Sequence, residues 1–349
     1  MDWQIAGILA QDGVTSGAVY ALLALALVLV FSVTRVIFIP QGEFVAFGAL
    51  TLAAIQTGGV PQLTWLVMGM GALAFLMDAA GTWRIAGMRH GVRPYLPNIA
   101  ANLLLPVSLH LLARTLPLAA LPQAVQALLA MLIVIPMGPM IYRIAYQRLS
   151  GATTLVLLIV SVAVHVLLTG IGLLVFGAEG SRTAAFSDAA FELGGLRVTG
   201  QSIWVLAISA LLIFLLYLYF DRTLSGKALR ATAVNRLGAR IVGIGANQAG
   251  KLAFTLAAAI GALSGVLIGP ITTVFYDSGF LIGLKGFVGA IVGGLVSYPA
   301  AAAGAVLVGL LESYSSFWAS AFKEVIVFTL IIPVLLWRSL TGKHAEEEH

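Results

Sequence analysis

The sequence predicts an all-α protein, a polytopic bundle of membrane-spanning helices, on three observations. Hydrophobic residues make up 60% of the 349 and charged residues only 9%, whereas soluble domains are roughly a quarter charged. The apolar residues form continuous runs, as in Val14–Phe31 and Val198–Phe220, without the alternation over about ten residues that marks barrel strands. Inside lipid, only helices and closed barrels satisfy every backbone hydrogen bond. Continuous runs therefore select helices.

A helix needs about twenty residues to cross roughly 30 Å of hydrocarbon. On that template spans fall near 14–34, 43–58, 62–80, 98–120, 124–142, 153–176, 201–220, 251–270, 280–296, 300–318 and 324–338. The fourth is interrupted by Asn102, His110 and Arg114, and Pro106 and Pro117 each remove a backbone donor. The count is eleven, or nine if 62–120 does not form a transmembrane hairpin. One transmembrane domain, residues 1–340, accounts for the chain, and 341–349 is a polar tail.

Basic residues of short loops gather on the cytoplasmic side. Arg84, Arg89 and Arg93 form one cluster, Arg143 and Arg148 a second, and 221–251 a third with six basic residues against Asp221. The loop at 177–200 holds Glu179, Asp188 and Glu192 against Arg182 and Arg197, and Asp277 is a lone acid, so both face outward. Every loop then lies where its charge predicts, with the N-terminus outside and the C-terminus in the cytoplasm. Met1 to Asp12 carries no Lys or Arg, so it lacks the basic start of a cleavable signal peptide and the first segment is expected to remain as a span. The net charge of +5 is spread between apolar segments rather than over one soluble face, which argues against nucleic acid as a partner. Without cysteine there are no disulfides, no thiol catalysis and no thiolate metal sites.

The stretch 221–251 combines basic charge with helical apolar spacing at Ala228, Ala231, Val234 and Ala239–Ile244, punctuated by Gly226, Gly238, Gly243 and Gly245. It fits a short helix along the membrane surface, either an anchor on anionic lipid or a docking helix for a soluble motor subunit. Gly245–Lys251 has the outline of a phosphate-binding loop, but residue 252 is Leu instead of the metal-binding hydroxyl and no buried strand precedes it. The chain is thus expected to bind no nucleotide cofactor. Charges inside spans are costly and are functional candidates. Glu43 follows Pro40 and Gly42 at a helix start, where the helix dipole favours a carboxylate. Lys285 can face an aqueous path or extend its flexible stem to the outer interface, and Glu312 stands beside Ser313, Ser315 and Ser316. Gly261, Gly265 and Gly269, followed by Gly289 and Gly293, form small-residue stripes that let helix backbones approach closely. His90, His110, His165, His344 and His349 are scattered without metal-ligand spacing. No nucleophile, base and orienting acid come together, so an enzyme in the membrane has no support.

Three separated stretches resemble a known family. Gly226-Lys-Ala-Leu-Arg-Ala-Thr-Ala-Val-Asn-Arg-Leu-Gly-Ala-Arg-Ile-Val-Gly-Ile-Gly is similar to the cytoplasmic coupling loop of the LivH-type permeases of branched-chain amino acid ABC importers. Asp12-Gly-Val-Thr-Ser-Gly-Ala-Val-Tyr-Ala-Leu, followed by Pro40-Gln-Gly-Glu43, is similar to that family's first span and the turn after it. Gly283-Leu-Lys-Gly-Phe-Val-Gly-Ala-Ile-Val-Gly-Gly-Leu, Ser297-Tyr-Pro, Leu311-Glu-Ser and Phe322-Lys-Glu-Val follow the pattern in order. The chain departs from it in carrying Phe38 and Gln41 where members usually have Asn and His, in Asn235 where they have an acid, and in an apparent insertion at about 78–122.

The resemblance implies a permease subunit in the bacterial inner membrane. It pairs with itself or with a LivM-like second permease, is driven by two cytoplasmic ATPase subunits that hydrolyse ATP, and is loaded by a periplasmic substrate-binding protein. Gly226, Arg230, Ala231, Asn235, Gly243 and Ile244 would form the ATPase-coupling surface, and Gln41, Glu43, Lys285 and Glu312 are candidates for the translocation pathway. A self-sufficient secondary transporter or channel for a small polar solute is the alternative, and it would need coupling-ion residues within its helices.

Overall fold

A computed structural model of the chain describes residues 3–86, 99–193, 196–295 and 297–342. Arg89 and Arg93 of the first basic cluster, His90, the middle of the apparent insertion, and His344 and His349 of the polar tail lie outside the described residues.

The sequence segments emerge as helices in order, and where they differ from expectation, glycine or proline supplies most of the reasons. Helix α1 (Trp3–Thr34) begins well before residue 14, because nothing in its first turns breaks a helix. At 32 residues it is about 48 Å long at 1.5 Å per residue, longer than the hydrocarbon alone. Helix α2 (Gln41–Gln56) starts after Pro40 and is buried along almost its whole length. Helix α3 spans Leu63–Ala86.

The fourth segment is not one straight span. A π-helical turn, Ala100–Leu104, runs without a break into α4 (Leu105–Thr115), and Pro106, which lacks a backbone donor, directly follows that widened turn. The chain is extended at Leu116 before Pro117 and then makes a 3₁₀ turn at Leu118–Ala120. Helices α5 (Gln123–Val134) and α6 (Met137–Ile141) form one span broken by Pro136 and extended by a π turn over Tyr142–Tyr146. Helix α7 spans Thr154–Phe176 and ends at Gly177, whose φ of 82° suits glycine.

The acidic loop after α7 holds a short antiparallel hairpin, β1 (Ala190–Leu193) with β2 (Leu196–Thr199), pairing Glu192 with Arg197. Helix α8 (Gly200–Arg222) follows. The basic stretch is two short helices, not the single one expected. These are α9 (Leu224–Val234) and α10 (Arg236–Ile241), parted by Asn235 in an extended conformation. Helix α11 spans Ala246–Ile268 and α12 spans Ser278–Val292, ending at Gly294 and Leu295, both with positive φ. Then come α13 (Tyr298–Trp318), α14 (Lys323–Thr329) and α15 (Ile331–Gly342). The last expected span is divided at Leu330, because the ring of Pro333 opposes the carbonyl four residues earlier.

Among the described residues seven helical segments are long and apolar enough to cross a membrane: α1, α3, α5 with α6, α7, α8, α11 and α13. Many large apolar side chains on α7 and α8 are exposed, including Leu155, Ile159, Val166, Leu174, Leu211 and Tyr217. A helix of a soluble protein would turn such residues inward, whereas here they match a lipid solvent. The chain is a multi-pass helical membrane protein.

The residues group into two compact units. One comprises 1–28, 185–217 and 281–349, and the other 29–184 and 218–280. In the second unit α2 and α11 pack most extensively, with α5 and α6 beside them. Small residues permit this. A Cβ at Gly48 would stand 2.6 Å from the Ala262 carbonyl oxygen, one at Gly261 2.6 Å from Phe44 Cβ, and one at Gly265 2.9 Å from the Ala49 nitrogen. Gly269 lies as closely against Thr183. In the first unit Gly289 packs on Ala305 and Gly293 on Ala301, and Gly13 and Gly17 of α1 meet Leu310 and Val306 of α13. Close backbone approach through dispersion is how helices associate where lipid removes the hydrophobic drive.

Candidate functional site

Three groups of residues carry the chemistry, one in the first unit and two in the second. The buried one in the second unit starts from Pro40, whose turn opens α2 and places Gln41 and Glu43 in its first turn. Gln41 Nε2 donates to the Ala257 carbonyl on α11 at 2.9 Å. Glu43 is 1% exposed, and its Oε1 lies 2.5 Å from Nδ1 of His165, halfway along α7. Phe280 stacks on the imidazole with ring centres 4.5 Å apart, and Thr169 Oγ1 lies 3.5 Å from the same Nδ1.

His165 is the functional candidate that sequence reasoning missed, because spacing sought metal ligands and found none. A usable signal was present. Glu43 and His165 are both ionisable groups in apolar segments, and each needs a partner there. Phe38 enters an aromatic cluster with Phe44, Tyr146 and Phe254.

In the first unit, Lys285 on α12 is buried, and its Nζ donates to Glu312 Oε1 on α13 at 2.5 Å. Glu324 Oε1 at the start of α14 is 3.3 Å away. The Tyr20 hydroxyl of α1 donates to the other Glu312 oxygen at 2.6 Å, and its ring centre lies 5.8 Å from the ammonium. Lys285 therefore turns inward to two carboxylates rather than extending its stem away from them. Charge and hydrogen bonds together satisfy groups that apolar surroundings would otherwise leave unpaired.

The third group is the surface of α9 and α10. The Thr223 hydroxyl caps α9 by accepting from the Gly226 nitrogen at 3.0 Å, and Asn235 Oδ1 caps α10 by accepting from the Gly238 nitrogen at 2.8 Å. Asn235 is thus a helix cap, a role Asn fills as well as Asp. Arg236 donates to the Ser150 carbonyl at 3.0 Å, tying α10 to the loop before α7. Gly226 is buried against the backbone of Tyr219 and Phe220, and Gly243 turns the chain with φ 89°. Between α9 and the start of α11 is a groove of about 290 Å³ lined by Ala228, Leu229, Gly243, Ile244, Gln248 and Leu252. Arg230 and Ala231 are exposed, and so are Leu224, Val234, Leu237, Ile241 and Val242, at 69–89%. In Gly245–Lys251, Gly245 is the N-cap of α11 and the rest is regular helix.

The comparisons agree with this architecture. Residues 9–335 match the family described as "Branched-chain amino acid transport system / permease component". The high-affinity branched-chain amino acid transport system permease protein BraD of Pseudomonas aeruginosa is 26% identical over 340 residues, covering 94% of this chain and 92% of that protein. The permease proteins LivH of Salmonella typhimurium and of Escherichia coli strain K12 are 25% and 26% identical, each over 93% of this chain and 91% of theirs. No solved structure matches the chain. A match running from the first turns of α1 to α15 leaves no described span outside it, and the chain belongs to the permease-component family of branched-chain amino acid transport systems.

Proposed function

We propose that this chain is the membrane permease of a binding-protein-dependent importer in the bacterial inner membrane, carrying branched-chain amino acids inward. Two cytoplasmic subunits hydrolyse the ATP, and a periplasmic protein delivers the substrate. The observation that carries the reading is the family match over residues 9–335. The capped, basic, apolar surface of α9 and α10 supports it. Exposed Leu224, Val234, Leu237 and Ile241 on a polar, cytoplasmic loop are what a partner's groove would cover, and the caps make the pair rigid enough to transmit a push. The termini follow the basic loops, with the N-terminus outside and the C-terminus inside. The pathway is completed by a second permease subunit, either another copy or a LivM-like partner, and selectivity need not reside in this chain.

The test is uptake of labelled leucine, isoleucine and valine into vesicles holding the permease with its ATPase subunits. Uptake that requires both ATP and the binding protein is expected. Uptake by the chain alone, driven by an ion gradient, would instead establish a secondary transporter.

A further inference from the structure

In the first unit the structure holds a second polar feature, a cleft of about 430 Å³ between α1 and α13. Leu9, Asp12 and Ser16 lie on one face of α1, and Gly309, Glu312, Ser313 and Ser316 on one face of α13, each set at the three- and four-residue spacing of a helix surface. Phe317 and Lys323 complete the lining. The volume is that of a small-molecule site, for which roughly 300–1,000 Å³ is usual.

The charges in the cleft divide into occupied and free. Both oxygens of Glu312 are engaged, by Lys285 and by Tyr20, so Glu312 is wall. Asp12 and Lys323 make no hydrogen bond or ion pair among the described residues, not even with each other. One free carboxylate and one free ammonium thus line the same cleft, with the hydroxyls of Ser16, Ser313 and Ser316 and the apolar sides of Leu9 and Phe317. Such a surface is costly against hydrocarbon and suits a water-filled path.

We infer that this cleft is a transit subsite for a zwitterionic amino acid, with Asp12 taking the α-ammonium, Lys323 the α-carboxylate, and Leu9 and Phe317 meeting an aliphatic side chain. The inference rests on the importer reading, which places this end of α1 and of α13 on the outer side, where substrate released by a binding protein would enter. Neither charge alone defines the ligand class. A free amine would leave Lys323 unanswered and a simple carboxylate would leave Asp12 unanswered, whereas an amino acid answers both.

The chain contains no cysteine, so Ser316→Cys introduces a single reporter into the full chain in lipid nanodiscs. A water-soluble thiol reagent is expected to label it. Leucine at about ten times its dissociation constant should slow labelling about tenfold by mass action. 3-Methylbutylamine and 4-methylpentanoate, which each lack one charged end, should not. Adding Asp12→Asn or, separately, Lys323→Gln should abolish the protection while labelling continues, so the failure of one double variant to fold leaves the other to decide. Protection of the single-cysteine protein needs no charge variant at all. A thiol that is never labelled, or one labelled at the same rate with and without leucine, would overturn the subsite. Uptake by the native importer is measured alongside: uptake with an unprotected thiol overturns only the subsite, whereas no binding-protein-dependent uptake overturns the importer reading as well.

Discussion

Lys285 shows why a charge can persist in an apolar bundle: it is not alone, and its partners come from two other helices. Lys285→Met should leave Glu312 and Glu324 unpaired and lower stability by about 3–5 kcal/mol, the usual cost of breaking a buried pair from one side. Adding Glu312→Gln should recover part of that loss, and thermal unfolding in detergent measures both. Equal losses in the single and double variants would show that the pair is not energetically coupled. Glu43 and His165 obey the same rule. His165→Ala should cost about 3 kcal/mol by orphaning a carboxylate that is 1% exposed. Glu43→Gln, which removes the charge but keeps a hydrogen-bonding group, should cost about 1 kcal/mol. An inverted order would argue against the pairing. In sequence, Glu43 and Lys285 could be singled out because each is a charge in an apolar run. So could Glu312, but which charges pair could not be read, because His165 is 122 residues from Glu43 and no local pattern encodes that distance.

At the scale of elements, the glycine stripes and the caps decide how helices meet and where they stop. Gly265→Leu should force α2 and α11 apart, since even a Cβ there would stand 2.9 Å from the Ala49 nitrogen, and overpacking of this kind costs about 1–3 kcal/mol or more. Gly69, which has open space around it, should accept the same substitution within about 0.5 kcal/mol, and comparing the two melting temperatures checks the packing. The stripes were legible because small residues four apart in a lipid-facing helix have few other uses. The number of short helices within 221–251 was not, because the break at Asn235 depends on a backbone conformation that its side chain then caps. The irregular fourth segment was half legible. Pro106 and Pro117 announced the interruption, but only Pro117 follows a helix end, whereas Pro106 stands just after a π turn inside a continuous helix.

For the whole molecule, the importer reading makes α9 and α10 a lever. Ala231→Glu or Leu237→Glu, both at exposed helical positions, should leave the protein inserted and folded yet reduce ATP-driven uptake at least about tenfold, a loss of about 1.4 kcal/mol or more in coupling. ATPase activity measured beside uptake distinguishes uncoupling from loss of assembly, and normal uptake in both variants would refute the lever. The orientation has its own test. In intact cells an impermeant thiol reagent should label Asp188→Cys and leave Ser225→Cys untouched, with the pattern reversed in inverted vesicles. Both side chains are exposed, so an absent signal cannot be ascribed to burial within the chain.

By itself the sequence determined that the chain lives in lipid, that it crosses as helices, where most of those helices lie, and which family it resembles. Each follows from local composition or from short motifs read along the chain, because a span must satisfy its backbone within itself and bears its solvent on its surface. Only the tertiary structure decided which charges pair, how the basic loop divides, and which polar residues share a cleft. Those are properties of helices brought together, and Asp12 and Lys323 line one cleft as free opposite charges only because α1, α13 and the first residue of α14 come together there.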